Sequence, residues 1–147
     1  MAKSKLLTLS MCVAFLFSAA ACSSLEISNV DYSQPVESVL TVENNEVHDK
    51  RYAIKFNISP VLDEEGISSV DEIRLIRSNR GYYFLTASGF NHVYVLEVTS
   101  GGLDEKNIIR IPGDALQQPA FNQRDGFIEL VDLATGDTHN LDHNGRR

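Results

Sequence analysis

The chain is short of thiols, of tryptophan and of catalytic motifs. Its two cysteines, Cys12 and Cys22, both lie close to the amino terminus, and it has no tryptophan. The residues after Cys22 therefore cannot form a disulfide, supply a cysteine nucleophile or build a cysteine-based metal site. No Gly-x-Ser-x-Gly elbow and no lysine-bearing glycine-rich phosphate loop occurs. We therefore expect neither an enzyme nor a cofactor-binding protein.

Positive charge is also scarce. Lysine and arginine number 13 against 20 aspartates and glutamates, which gives a net charge of −7 at pH 7. A surface this acidic repels the phosphates of nucleic acids and anionic lipid head groups. The composition therefore predicts no nucleic-acid partner.

The amino-terminal residues have the pattern of a secretory signal. Lys3 and Lys5 precede an apolar run over residues 6–17, and small residues follow up to Ala21. The apolar run is too short for a stable membrane span, which needs about 20 residues. A cut after Ala21 would remove both lysines and no acidic residue, which would change the net charge from −7 to −9.

The end of this signal, Ala19-Ala20-Ala21-Cys22, resembles the lipobox of bacterial lipoproteins. The family usually has leucine where this chain has Ala19, and the resemblance covers the leader only. It implies cleavage before Cys22, a diacylglycerol on its thiol, and acyl chains that hold the protein to a lipid bilayer. Ser23 rather than aspartate at the next position implies the outer membrane of a Gram-negative cell. The alternative is an ordinary Ala-x-Ala cut that releases a soluble secreted protein.

We divide the chain accordingly into four segments. Residues 1–21 are the signal peptide, and residues 22–36 are a lipidated flexible tether with a reach of roughly 20 Å. Residues 37–142 are predicted to form the folded domain, followed by a polar tail over 143–147. Docking of Ile27 and Val30 as part of a first strand is the alternative for the tether.

The folded domain is predicted to be all-β. Alternate residues from Tyr52 to Ser59 are apolar, as in a strand with one buried face, and two hairpins are predicted over 73–86 and 127–141. Short apolar runs recur about every 10 to 15 residues, which favours an immunoglobulin- or fibronectin-like β-sandwich of about seven to eight strands, with a small barrel as the alternative. We predict no long helix after the signal, and a solvated acidic loop at Asp63-Glu64-Glu65.

An aromatic stretch between Arg80 and Tyr94 is the strongest candidate for a contact surface. Tyrosine and arginine are favoured at binding hot spots, and strand alternation would expose one aromatic of each neighbouring pair. The residues predicted to contact a partner protein are Arg80, Tyr82, Tyr83, Phe90 and Tyr94. The alternative is a central strand covered on both faces.

A second, weaker candidate lies near the carboxyl terminus. His139 and His143, with Asp137 and Asp142 nearby, could bind a divalent metal loosely. The competing interpretation is a solvated tail with no metal.

Taken together, these patterns predict a non-catalytic binding or assembly module of the cell envelope. Its expected partners are the lipid bilayer, through acylated Cys22, and another envelope protein.

Overall fold

The computed structural model describes residues 37–100 and 102–147. The signal, Cys22 and the tether predicted from the sequence lie outside the described residues. Within these residues the chain forms eleven strands and one helix: β1 (Ser38–Glu43), β2 (Glu46–Asp49), β3 (Ile54–Asn57), α1 (Ser59–Glu65), β4 (Glu72–Arg77), β5 (Tyr83–Thr86), β6 (His92–Thr99), β7 (Gly102–Arg110), β8 (Pro119–Arg124), β9 (Phe127–Asp132), β10 (Thr138–Asp142) and β11 (Gly145–Arg146).

The strands form two antiparallel sheets. The larger sheet has seven strands in the order β3-β2-β1-β4-β5-β6-β7, and the smaller has four in the order β11-β10-β9-β8. Every neighbouring pair except β1 and β4 is also adjacent in the chain. The turns suit these short connections, since Asn44 and Asn45 both take the positive φ (54° and 61°) that a two-residue hairpin needs.

Two hydrophobic clusters cover the opposite faces of strands β4 to β6. Alternation along β5 directs Tyr83 and Leu85 into the first cluster, inside the curl of the larger sheet beneath α1, and directs Phe84 into the second. The second cluster lies between the two sheets and includes Phe121, Ile128, Leu130 and Leu141 from the smaller one. Both clusters lie within residues 37–147, so a chain beginning at residue 22 keeps every residue of these two clusters.

The predicted all-β, sandwich-like fold is confirmed. The described residues contain more strands than the seven to eight predicted, because β2, β8 and β11 are short and mostly polar and sequence alternation did not indicate them. The predicted polar tail over 143–147 is wrong in part: Gly145 and Arg146 pair with Asp142 and Leu141 as β11. These backbone hydrogen bonds extend the smaller sheet by one strand.

The acidic run predicted as a solvated loop instead ends a helix. Pro60, whose fixed φ suits the first turn, lies near the start of α1, and Gly66 closes it in the left-handed conformation at φ 69°. Leu62 is buried against the first cluster, while Asp63 and Glu64 remain exposed. The side chain of Glu65 is fully buried, which the loop interpretation did not anticipate.

A buried carboxylate joins two loops at one end of the molecule. Asp132 accepts hydrogen bonds from the backbone N–H groups of Gln117 (2.7 Å), Gln118 (2.9 Å) and Ala134 (3.0 Å). Burial of Asp132 opposes its ionisation, but these N–H donors outweigh it and hold the pKa of the carboxyl below its ordinary value of 3.8. The ionised form therefore stabilises the connection between β7 and β8.

We predict that Asp132→Asn lowers the free energy of unfolding by about 2 kcal/mol at neutral pH, because the amide places a donor against backbone donors. The pKa of Asp132 is lower in the folded protein than in the unfolded chain. The contribution of the ionised carboxylate to the free energy of unfolding is therefore complete above pH 3.8 and is lost as the pH falls further. Urea unfolding across this range measures it. Asp125→Asn, at an exposed turn position, is the control, and an equal loss in both variants would contradict the assignment.

Candidate functional site

The structure buries most of the aromatic contact surface predicted from the sequence. Tyr83 is 4% exposed, and Phe90 and Tyr94 are fully buried. They belong to the first cluster, because the larger sheet curls over them and α1 covers its opening. The prediction that these three residues contact a partner is wrong, and the alternative of a central strand covered on both faces describes them.

Arg80 and Tyr82 remain accessible, at one end of the sandwich. Arg80 is exposed in the turn between β4 and β5, and Tyr82 is half-buried beside it. The Tyr82 ring stacks on the imidazole of His143 from the turn between β10 and β11, with ring centroids 4.5 Å apart and planes 1° from parallel. We call this end of the molecule, formed by the turns that follow β2, β4, β6, β8 and β10, the Tyr82 end.

The recess between the turns that follow β4, β8 and β10 measures about 10 Å³, which is room for one water molecule but not for a larger ligand. The side-chain oxygen of Gln123, a residue that lines this recess, is buried and accepts no hydrogen bond from the described residues. Arg147 lies over the Phe127 ring at 6.0 Å and donates to the Gly126 carbonyl. Aromatic and guanidinium groups therefore lie together around this recess.

A wider cleft of about 870 Å³ runs beside β1 and β2. Its described lining comes from this one hairpin and mixes carboxylates such as Glu43 with cationic side chains such as Lys50. Asp49 also lines this cleft. One of its carboxylate oxygens accepts a hydrogen bond from the Arg51 N–H at 2.7 Å. The other oxygen is buried and has no hydrogen bond among the described residues. Because the lining carries both positive and negative side chains, its charge does not favour an anionic ligand over a cationic one.

Titratable side chains from distant parts of the chain converge at the opposite end. The buried Glu65 carboxylate accepts from the Tyr94 hydroxyl at 2.9 Å and from the Asn91 N–H at 2.8 Å, and it lies 3.0 Å from Nδ1 of His92. Burial and the adjacent carboxylate raise the pKa of Tyr94, so the phenol remains a donor. We call this the Glu65 cluster, and the end that contains it the α1 end.

The Glu65 cluster joins α1 to the start of β6. The described hydrogen bonds bring no serine, threonine or cysteine hydroxyl or thiol to the His92 imidazole or the Glu65 carboxylate. His92 is held from its backbone as well, because its carbonyl accepts from the Thr86 hydroxyl at 2.9 Å.

The proposed metal ligands near the carboxyl terminus do not converge. His139 lies on β10 opposite Leu130, whereas His143 lies in the following turn against Tyr82. Between residues 37 and 147, residue 101 apart, no group of three histidine, cysteine, aspartate or glutamate side chains is arranged to hold a metal ion.

Comparisons with protein-family models, with curated proteins and with solved structures find no match to this chain. Within the described ranges, no helix has both the length and the apolar character needed to cross a membrane.

Proposed function

We propose that this protein is a lipid-anchored lipoprotein of the cell envelope that acts as a non-catalytic binding or assembly module. The observation that carries the proposal is the position of Cys22. It follows a signal-like leader and three alanines directly, and it is the last thiol in the chain. In an oxidising compartment an unpaired thiol is a liability unless it is modified, and acylation supplies that modification.

The architecture of the described domain is compatible with attachment through a tether. Glu37, the first described residue, accepts from the Phe121 N–H at 2.7 Å and pairs with Arg74 at 3.4 Å. Burial raises the pKa of Glu37, while the Phe121 N–H and Arg74 favour its ionised form. These contacts fasten the start of the domain to both sheets, so a pull from an amino-terminal anchor would be transmitted to the core.

The partner-binding part of the proposal falls on the Tyr82 end. Arg80 and Tyr82 are the two residues of the predicted contact stretch that stay accessible. Ser23 supports the outer membrane as the destination if the cell is Gram-negative.

Metabolic labelling with radioactive palmitate tests the anchor. We expect the wild-type protein to carry label and to sediment with membranes, and Cys22→Ala to lose the label. Cys12→Ala is the matched control, since Cys12 lies inside the predicted signal and its loss leaves the label unchanged. An unlabelled wild-type protein in the soluble fraction would contradict the proposal and favour a secreted protein.

A further inference from the structure

The first two strands of the larger sheet separate partway along their length. Their ladder ends at the pair Val42 and Val47, close to the turn that joins them. β1 nevertheless continues along β4 over residues 38–41, and β2 continues along β3 over residues 48–49. We call this opening the β1–β2 fork. The cleft of about 870 Å³ is lined by residues of both branches, so it lies at the fork.

The backbone of β1 has unpaired groups that face the fork. The Val42 N–H donates to the Asp71 carbonyl at 2.9 Å, on the β4 side. Because N–H groups alternate along a strand, the N–H of Leu40 also faces β4, while the N–H and carbonyl of Val39 face β2. Among the described residues, none makes a backbone hydrogen bond with Val39 on that side. β1 therefore has an open edge within the sheet.

The fork has the properties of a strand-insertion site. An open strand edge is a template on which a further strand can pair, through main-chain hydrogen bonds. The side chain of Val39 is 49% exposed on the outer face of β1. Leu40 and Val42 point to the other face and pack against the first cluster, where they remain half-buried. A strand with one apolar face would pair with this edge and extend the cluster.

The path of the chain indicates which strand this is. Glu37, directly before β1, lines the cleft, so the chain enters the domain at the fork. Residues 25–30 precede this point and begin with apolar Leu25 and Ile27 at alternate positions. Residues 31–36 connect the segment to Glu37. A connection this short joins antiparallel strands, since parallel strands need a dozen or more connecting residues.

We propose that residues 25–30 of this chain insert into the β1–β2 fork as a strand antiparallel to β1. The inserted strand forms hydrogen bonds with the Val39 backbone and places Leu25 and Ile27 on the side of the first cluster. The seven-stranded sheet thereby gains a strand between β1 and β2.

The insertion has a consequence for the proposed anchor, on which this paragraph alone rests. Residues 22–24 would remain between the acylated Cys22 and the inserted strand. Three residues span at most about 10 Å, compared with the reach of roughly 20 Å expected for a free segment over 22–36. The domain would therefore lie close to the bilayer. Of the two interpretations of residues 22–36, the insertion favours the one in which Ile27 and Val30 belong to a first strand.

Amide hydrogen exchange followed by NMR tests the insertion without the anchor. The probe is the chain from residue 22 with Cys22→Ser, which cannot be acylated and keeps both hydrophobic clusters. We expect the Val39 amide to exchange at least about a hundredfold more slowly than an unprotected amide, and to show nuclear Overhauser contacts with residues 25–30. A Val39 amide that exchanges at the unprotected rate, or one without these contacts, would overturn the proposal and leave the fork to a strand of another protein.

Two proline variants of this probe identify the protecting segment. Ile27→Pro removes a donor within the segment and is expected to return the Val39 amide to within about threefold of the unprotected rate. The Leu40 amide faces β4 and should stay slow, which shows that the domain remains folded. Ser24→Pro, just before the segment, is the control and should leave both amides slow. Protection of Val39 that survives Ile27→Pro would overturn the proposal. The palmitate label reports on Cys22 alone, so either proposal can fail while the other stands.

Discussion

Replacing Glu65 by alanine is expected to lower the free energy of unfolding by about 3 to 5 kcal/mol. The carboxylate is fully buried, and its removal would leave the Tyr94 hydroxyl and the Asn91 N–H without an acceptor. The contact between α1 and the start of β6 would be lost with it. Urea unfolding followed by circular dichroism measures the change, which is large against the stability of an ordinary domain.

The neighbouring residue supplies a control for Glu65. Glu64 is exposed on the same helix, so Glu64→Ala has the same effect on charge and on helix length but removes no buried acceptor. We expect it to change the stability by less than about 0.5 kcal/mol. Glu65→Gln keeps one side-chain oxygen and should fall between the two. Similar values for Glu64→Ala and Glu65→Ala would show that the Glu65 cluster does not hold the helix.

Phe84→Ala is expected to be the other strongly destabilising change, by about 3 to 5 kcal/mol. Phe84 is 1% exposed and belongs to the cluster between the two sheets, together with Phe121 and Leu130. Truncation would leave a cavity between rigid sheets that cannot close around it. The same unfolding measurement applies, and the m-value should remain unchanged if the native fold is kept.

Leu133→Ala is the matched truncation for Phe84. Leu133 also has a large apolar side chain but is 66% exposed after the end of β9. We expect its loss to cost less than about 0.5 kcal/mol. If Phe84→Ala were equally mild, the two sheets would not share the core described above.

The strands with clear alternation were predictable from the sequence. The run from Tyr52 to Ser59 contains β3, with Tyr52 and Ile58 buried beyond its two ends, and the turn with Gly136 at φ 81° joins β9 to β10 as predicted. β8 was missed because it begins at Pro119 and has polar residues over its second half. Such an edge strand is fixed by its partner β9 and by the Glu37 carboxylate, which no local pattern reveals.

The candidate sites were harder to predict because they depend on which faces are covered. Tyr82 and Phe84 do share one face of β5, and Tyr83 and Leu85 the other, as alternation predicts. One face is buried by the curl of the larger sheet and the other by the smaller sheet, and both depend on strands far away in sequence. The helix was recognisable in principle, since Pro60 and Gly66 are placed as a helix start and stop.

Intact mass spectrometry of the protein purified from its native membrane tests the central claim most directly. The account predicts a polypeptide that begins at Cys22 and is heavier than its amino-acid sequence by a diacylglyceryl group, with or without a further acyl chain. A mature chain that begins at any other residue, or one that begins at Cys22 with no added hydrocarbon mass, would contradict it.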